Sequence, residues 1–116
     1  MLTLNVQAPD VEKSFQIFEL DGDMDKVGLD AVKDKFESLA ENFPYRYLVV
    51  DFTALNFINS ESIGFLMALH SHLIKLKKSL IFISAKAHVK DVFSVIGILT
   101  LIEYHDTLED FMKKIA

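Results

Sequence analysis

The chain contains no cysteine, and this absence excludes a disulfide scaffold, a thiolate metal site and a cysteine nucleophile at once. Basic residues are also few, since 12 Lys and Arg are outnumbered by 17 Asp and Glu, for a net charge of −5. Nucleic-acid binders normally present a basic face, so we expect no nucleic-acid partner. No segment reaches the roughly 18 uninterrupted apolar residues of a membrane span. The first residues, MLTLNVQAPDVEK, lack the features of a signal peptide, and we expect a cytoplasmic protein without direct membrane insertion.

The motifs of the common enzyme classes are missing as well. The sequence contains no G-x-G-x-x-G or G-x-x-x-x-G-K-[ST] phosphate-binding loop and no G-x-S-x-G nucleophile motif. His70 and His72 are two residues apart in a segment of helical periodicity, so they point in different directions and do not predict a metal site. His70 falls on the apolar face and is predicted to be a hydrogen-bonded core residue. We therefore expect no enzyme, no catalytic residue, no cofactor and no metal.

The composition is that of an ordinary globular domain. Of the 116 residues, 51% are hydrophobic and 25% are charged, which argues against disorder and for a sizeable core. The 2 prolines and 4 glycines fall near predicted element boundaries, and no linker, repeat or low-complexity tract interrupts the chain. These features predict a single domain over residues 1–116.

Hydrophobic periodicity predicts strands that alternate with helices. The strand signals are Leu2–Val6, Phe15–Glu19, Tyr47–Val50, Leu80–Ile83 and Leu101–Tyr104. The helical stripes are Leu29–Phe43, Ile63–Leu76 and Val89–Ile96 with Gly97 as its end, followed by a short helix in which Thr107 and Asp110 form a capping box. The order β-β-α-β-α-β-α-β-α predicts an α/β fold: a mixed, mostly parallel sheet with an N-terminal hairpin and about four helices.

Asp51 directly follows the apolar strand YLVV and resembles the phospho-accepting aspartate of response-regulator receivers. A receiver also needs acidic residues at the end of its first strand to hold magnesium, and the first strand here, LTLNV, ends without any. The carboxylates of Asp21, Asp23 and Asp25 follow the second strand instead. We therefore expect Asp51 to be a solvated residue or a turn former.

A polar cluster, Asn59–Ser62, lies at the predicted start of the second helix. In α/β proteins, sites gather at the carboxyl ends of the strands and at the helix starts beside them. A helix N-terminus offers free N–H groups and the positive end of the dipole, so it stabilises a phosphate attached to a serine there. The simpler interpretation is that Asn59 or Ser60 only caps the helix, and local physics alone favours it.

A family resemblance adds to this interpretation. The segments GDMD (residues 22–25), YLVVDF (47–52) and FINSESIG (57–64) resemble the STAS domain, above all the stand-alone bacterial anti-sigma-factor antagonists, and the likeness covers nearly the whole chain. The family's loop reads F-[MI]-D-S-[ST]-G-[LI]-G, and this chain departs from it at three positions: Asn59 replaces Asp, Glu61 replaces a small or hydroxyl residue, and Ser62 replaces Gly.

The resemblance implies a STAS-like fold and a regulatory, partner-switching function. In such antagonists the loop serine is phosphorylated by the partner, an anti-sigma factor that is itself a serine kinase and that binds the ATP. Carried over, Ser60 is the acceptor, with Ser62 as the fallback. The expected partner-binding residues are Asp23, Asp25, Asn59, Ser60, Glu61 and Ser62. Nothing in the sequence indicates the oligomeric state.

The alternative is a constitutive STAS-like interaction module of a transporter or a larger signalling assembly. Ser60 is then only a cap and is not phosphorylated, while an apolar surface docks a permanent partner. In either case Gly64 is expected to allow close packing of the second helix on the sheet, so that Gly64→Leu destabilises the fold.

Overall fold

Six strands and four helices are described by the computed structural model, which covers residues 1–116. The strands are β1 (Thr3–Val6), β2 (Phe15–Met24), β3 (Tyr47–Asp51), β4 (Leu55–Ile58), β5 (Ser79–Ile83) and β6 (Glu103–His105). The helices are α1 (Lys26–Glu41), α2 (Ser60–Lys75), α3 (Ala87–Ile96) and α4 (Leu108–Ile115), with a 3-10 turn at Ile98–Thr100. None of the helices is both long and apolar enough to cross a membrane.

The sheet has the order β1-β2-β3-β5-β6, in which only the β1–β2 hairpin is antiparallel. The predicted mixed, mostly parallel α/β fold is thereby confirmed. Strand β2 is long enough to pair twice: Phe15–Glu19 pairs with β3, and Gly22–Met24 pairs with β4. The register shifts at Gly22, where φ is 122° and a Cβ atom would lie 2.0 Å from the Met1 carbonyl oxygen, so only glycine fits there.

Helices α1, α2 and α3 cover one face of the sheet and enclose the main core of 25 buried residues. A smaller cluster of 6 buried residues lies on the opposite face, where α4 inserts Phe111 against Phe15, Ile17 and Val49. Each of these three helices contributes buried side chains to the main core, among them Phe36 of α1, Leu66 of α2 and Phe93 of α3. Helix α4, by contrast, has a single fully buried side chain.

Helix α3 is held in place by aromatic packing and by contacts to β4. The Phe93 ring lies 5.1 Å from the ring of Phe52 and 5.3 Å from that of Phe82, and all three side chains are fully buried. At its N-terminal end, Lys86 hydrogen-bonds the side chain of Asn56 and His88 Nε2 lies 2.6 Å from the Asn56 carbonyl oxygen. These contacts fix the orientation of α3 relative to β4 and the helix that follows it.

Two helix ends agree with the sequence predictions. Gly97 ends α3 in the left-handed conformation with φ of 85°, and the Thr107 side chain caps α4 by accepting a hydrogen bond from the Asp110 N–H (3.0 Å). Strand β4 is not predicted by the sequence pattern, and β2 continues beyond the predicted Phe15–Glu19 to Met24. Asp23 pairs with Phe57 inside the sheet, so it belongs to β2, whereas the sequence predicts that it follows this strand.

Candidate functional site

Strands β2 and β4 end side by side, and each passes directly into a helix. Met24, the last residue of β2, pairs with Ile58, the last residue of β4. The next residue in each case is an N-cap: Asp25 Oδ1 accepts from the Gly28 N–H (2.8 Å), and Asn59 Oδ1 accepts from the Ser62 N–H (2.8 Å). The starts of α1 and α2 are therefore neighbours at one edge of the fold.

One carbonyl group joins the two helix starts. The Met24 carbonyl oxygen accepts a hydrogen bond from the Asn59 N–H (3.1 Å) and a second one from the Ser62 hydroxyl (2.8 Å). Ser62 is fully buried, and its side chain is the only buried polar one in the core. Buried polar groups persist where they are hydrogen-bonded, so this pair of bonds holds the start of α2 against the end of β2.

The burial of Ser62 argues against a role in phosphorylation or partner binding in the folded protein. The sequence predicts Ser62 as the fallback phosphorylation site and as a partner contact, but its hydroxyl lies inside the protein and donates a hydrogen bond to the Met24 carbonyl oxygen. A kinase reaches that oxygen only after α2 has been pulled away from β2. We therefore assign Ser62 a structural role in the folded protein.

Ser62→Ala is expected to lower the free energy of unfolding by about 1 kcal/mol, the usual net worth of one hydrogen bond. Urea denaturation followed by circular dichroism measures this. Ser60→Ala, two residues away on the exposed side, serves as the control and is expected to change stability by less than about 0.5 kcal/mol. Equal stability of both variants and the wild type would show that the bond from Ser62 to Met24 contributes nothing.

Ser60 and Glu61 are exposed in the first turn of α2. Because Asn59 provides the cap, the Ser60 hydroxyl is not needed for that role. Asp23 and Asp25 lie nearby but are half-buried, and the Asp25 carboxylate is engaged with Gly28. The structure thus brings together the two segments predicted to form the binding face, and Ser60 and Glu61 are their most accessible members.

An apolar groove extends from Ser60 along α2. One side is formed by Ile63, Gly64 and Met67, and the other by residues of α3 and the turn after it, including Ile96 and Leu101. Apart from the neighbouring residues and the backbone of α2 itself, no heavy atom lies within 4 Å of a Cβ atom placed on Gly64, so the predicted close packing of this glycine on the sheet is wrong. Gly64 instead keeps the groove open at the surface.

The sequence pattern does not predict this groove. It predicts Ile96 on the buried face of α3 and Leu101 in the last strand, whereas these residues are 49% and 56% exposed. The left-handed Gly97 turns the chain sharply after Ile96, and the 3-10 turn then presents Leu101 at the surface. The apolar surface can be recognised only when the direction of that turn is known.

His72 and Asp51 form hydrogen bonds with neighbouring residues of the fold. His72 Nε2 lies 3.2 Å and 3.0 Å from the carbonyl oxygens of Ala40 and Glu41 at the end of α1. His70 is half-buried, and its Nδ1 has no hydrogen-bond partner, so the predicted hydrogen bond is absent. Asp51 accepts hydrogen bonds from the Thr53 N–H (2.9 Å) and hydroxyl (2.6 Å), which is the geometry of a turn former. No group of three or more His, Cys, Asp or Glu residues is placed to hold a metal ion.

Comparison with known proteins relates this arrangement to one family. Residues 6–111 match the family model described as the STAS domain. Among curated protein sequences, nothing matches the chain significantly.

Three solved structures illustrate the likeness in fold. An anti-sigma factor antagonist from Mycobacterium paratuberculosis has a TM-score of 0.85 at 18% identity, over 99% of this chain and 94% of the other. The Bacillus cell fate determinant SpoIIAA in its phosphorylated form has a TM-score of 0.70 at 15% identity, over 98% and 100%. An anti-sigma-factor antagonist (STAS) domain protein from Planctomyces limnophilus has a TM-score of 0.79 at 12% identity, over 97% of both chains.

Proposed function

Because the chain belongs to the STAS domain family, we propose that it is a regulatory partner-switching protein that resembles an anti-sigma-factor antagonist. It binds an anti-sigma factor that is also a serine kinase, and phosphorylation of Ser60 releases it. The observation that carries the proposal is the position of Ser60: an exposed hydroxyl, free of the capping role, on a turn that is locked to the sheet.

In the proposed reaction the chain is a substrate and the partner is the enzyme. The partner binds ATP, and the Ser60 oxygen attacks its γ-phosphorus. An O–P bond forms to Ser60, the bond from the γ-phosphorus to the bridging oxygen breaks, and ADP leaves. The hydroxyl proton passes to a basic group of the partner. This chain contributes the acceptor oxygen and its fixed position.

The start of α2 suits a phosphorylated serine. A helix N-terminus carries a partial positive charge of roughly half an elementary charge, and a phosphate adds about −1.5 to −2 at neutral pH. The modification therefore leaves the fold intact while it changes the charge of the surface. Glu61, which is exposed beside Ser60, adds to the negative charge that a bound partner must then face.

The departures from the family loop have distinct physical consequences. Asn59 keeps the capping function of the usual aspartate, since its Oδ1 accepts from the Ser62 N–H, but it lacks the charge. Ser62, in place of glycine, adds the hydrogen bond to Met24. Both residues hold the turn that presents Ser60 in place, which supports the use of this serine as the acceptor.

We expect the protein isolated from its native cells to carry phosphate on Ser60, with an occupancy that changes between growth and stress. Phosphopeptide mass spectrometry measures this, and the peptide assignment separates Ser60 from the buried Ser62. Unmodified peptide under every condition would contradict the switch. That result would favour the constitutive module of a transporter or signalling assembly, bound through the apolar groove. Bacterial origin and a cytoplasmic location are part of the proposal.

A further inference from the structure

A second groove lies between the end of α1 and the middle of α2, with a volume of about 470 Å³. Phe65, Ala68 and the buried Leu69 of α2 provide its apolar lining. Glu37 and Glu41 of α1, both exposed, line the opposite side, so we call it the acidic groove. The apolar groove beside Ser60, by contrast, has no charged residue in its lining.

The two glutamates are placed unfavourably for the helix that carries them. Glu37 and Glu41 are neighbours on one face of α1, and like charges at this spacing destabilise a helix. Glu41 also lies in the last turn, where the helix dipole favours a cation, and that turn contains no basic residue. Local arrangements that cost stability without an internal gain are typical of functional sites.

No cation of the chain neutralises this pair. Neither Glu37 nor Glu41 forms an ion pair, and Lys33, one turn before Glu37, does not line the groove. His72 does line it, but its Nε2 lies 3.2 Å and 3.0 Å from the carbonyl oxygens of Ala40 and Glu41. This nitrogen therefore donates to the backbone at the end of α1, and both carboxylates stay free to accept from a ligand.

We propose that the acidic groove binds an arginine side chain of a partner protein. The guanidinium lies between the carboxylates of Glu37 and Glu41, and the alkyl stem packs along Phe65 and Ala68. Arginine suits this lining because its planar fork pairs with carboxylates, its guanidinium stacks on aromatic rings and its stem covers apolar surface. The inference is independent of the proposed function, since it concerns a different surface.

A second copy of this chain is a poor source of the arginine. Arg46 is the only arginine in the sequence. Its Nε donates a hydrogen bond to the Tyr47 hydroxyl (3.0 Å), and its guanidinium carbon lies 5.4 Å from the centre of the Tyr47 ring. Self-association through the acidic groove would break both contacts, so the occupant belongs to another protein.

The acidic groove is separate from the proposed phosphorylation site. Ser60 does not line it. His72, which contacts the end of α1 beside Glu41, lies about three turns, or roughly 18 Å, further along α2 than Ser60. Charges that far apart are largely screened at physiological ionic strength, where the Debye length is about 8 Å. The groove therefore binds arginine equally well in both phosphorylation states of Ser60.

The test is an NMR titration of the isotope-labelled protein with the peptide acetyl-Ala-Arg-Ala-amide. We expect saturable shifts of the backbone amides of Glu37, Glu41 and Ala68, with a dissociation constant in the millimolar range or tighter. The same peptide with citrulline in place of arginine keeps the shape without the charge, and it is expected to bind about fivefold more weakly or worse. No shift at about 10 mM peptide, or equal binding of the citrulline peptide, would overturn the proposal.

A pair of double variants separates the site from the overall charge. Glu37→Gln with Glu41→Gln is expected to weaken arginine binding about fivefold or more. It should also raise the melting temperature by about 2 °C or more, because the like-charge pair is gone. Glu12→Gln with Glu61→Gln removes the same net charge at exposed positions outside the groove, and binding is expected to stay within about twofold. Equal weakening by both double variants would show a general charge effect, and a lower melting temperature of the first would indicate a structural role for its carboxylates. Either result contradicts the proposal.

A change of size tests the groove without a change of charge. Ala68→Leu narrows the acidic groove and is expected to weaken binding of the arginine peptide about fivefold or more. Ser71→Leu adds a similar side chain at an exposed position of α2 outside the groove, and it should bind like the wild type. Undiminished binding by Ala68→Leu would mean that the peptide binds elsewhere.

The last measurements address phosphorylation and self-association. Ser60→Asp is expected to bind the arginine peptide within about twofold of the wild type, and a larger loss would show that the groove and Ser60 form one surface. Shifts at Glu37 and Glu41 on dilution of the protein alone would identify a second copy as the occupant and overturn the proposal. Because no kinase is present in these titrations, their failure leaves the proposed function of Ser60 untouched.

Discussion

Gly28→Ala is expected to lower the free energy of unfolding by about 2–3 kcal/mol, a typical cost of forcing extra volume into a packed site. A Cβ atom on Gly28 would lie 2.0 Å from the Asp23 carbonyl oxygen and 3.0 Å from the Leu2 side chain. The carbonyl belongs to the backbone of β2, so the clash cannot be relieved by rotation of a side chain. In the variant, the start of α1 must therefore move away from β2. This movement also strains the hydrogen bond from the Gly28 N–H to Asp25, which caps the helix.

Gly64→Ala is the matched control, because the same methyl group is added near the start of the other long helix. Position 64 has open space around it, and alanine is a better helix former than glycine by about 0.5–1 kcal/mol. The two substitutions are therefore expected to shift stability in opposite directions in thermal or urea denaturation. If both variants lost the same stability, the close approach of α1 to β2 would not be the reason for glycine at position 28.

Much of the fold could be predicted because local periodicity and capping agree with the tertiary structure. The stripe of α1 buries Leu29, Val32 and Phe36, and the short apolar runs YLVV and LIFI become central strands β3 and β5. The buried positions of α1 recur with the helical period, and those of β3 and β5 form a continuous apolar run. Each of these elements can therefore be recognised from its own stretch of sequence.

Strand β4 could not be predicted in the same way. Only its two end residues, Leu55 and Ile58, are buried, while Asn56 and Phe57 are exposed, so neither alternation nor a continuous apolar run marks it. The strand exists because β2 continues past the register shift at Gly22 and offers it a partner. The strand depends on pairing with β2, which is distant in the sequence, so no local stretch of residues predicts it.

The sequence predicts that the two polar segments lie together, but it does not predict which of their side chains are exposed. The polar cluster at the start of α2 and the acidic segment before α1 do meet, as strand-to-helix connections at one sheet edge should. Whether a serine there points outward or inward depends on its position relative to the N-cap. With Asn59 as the cap, Ser60 is exposed and Ser62 turns inward to Met24. The family loop has glycine at position 62, so the resemblance does not predict the direction of the Ser62 side chain.

Ser60→Asp is expected to weaken binding of the unphosphorylated chain to the proposed kinase partner about tenfold or more, equivalent to about 1.4 kcal/mol. The substitution places a carboxylate at the mouth of the uncharged groove and beside Glu61. Its charge is smaller than that of a phosphate, so the effect is a lower bound for the modification itself. Calorimetry with the purified kinase and a non-hydrolysable ATP analogue gives the dissociation constant directly.

Two further substitutions separate charge from size in this prediction. Ser60→Asn has nearly the shape of aspartate without the charge, and Ser60→Ala removes the hydroxyl. If charge is the cause, Ser60→Asn binds much more tightly than Ser60→Asp, and the difference shrinks as salt screens the carboxylate. Equal weakening by Asn and Asp would instead assign the effect to steric exclusion from the groove.

Ser60→Ala is expected to bind like the wild type and to accept no phosphate, so it should hold the kinase permanently. Undiminished binding by Ser60→Asp would remove the physical basis of the switch, because no charge at this position would then be sensed.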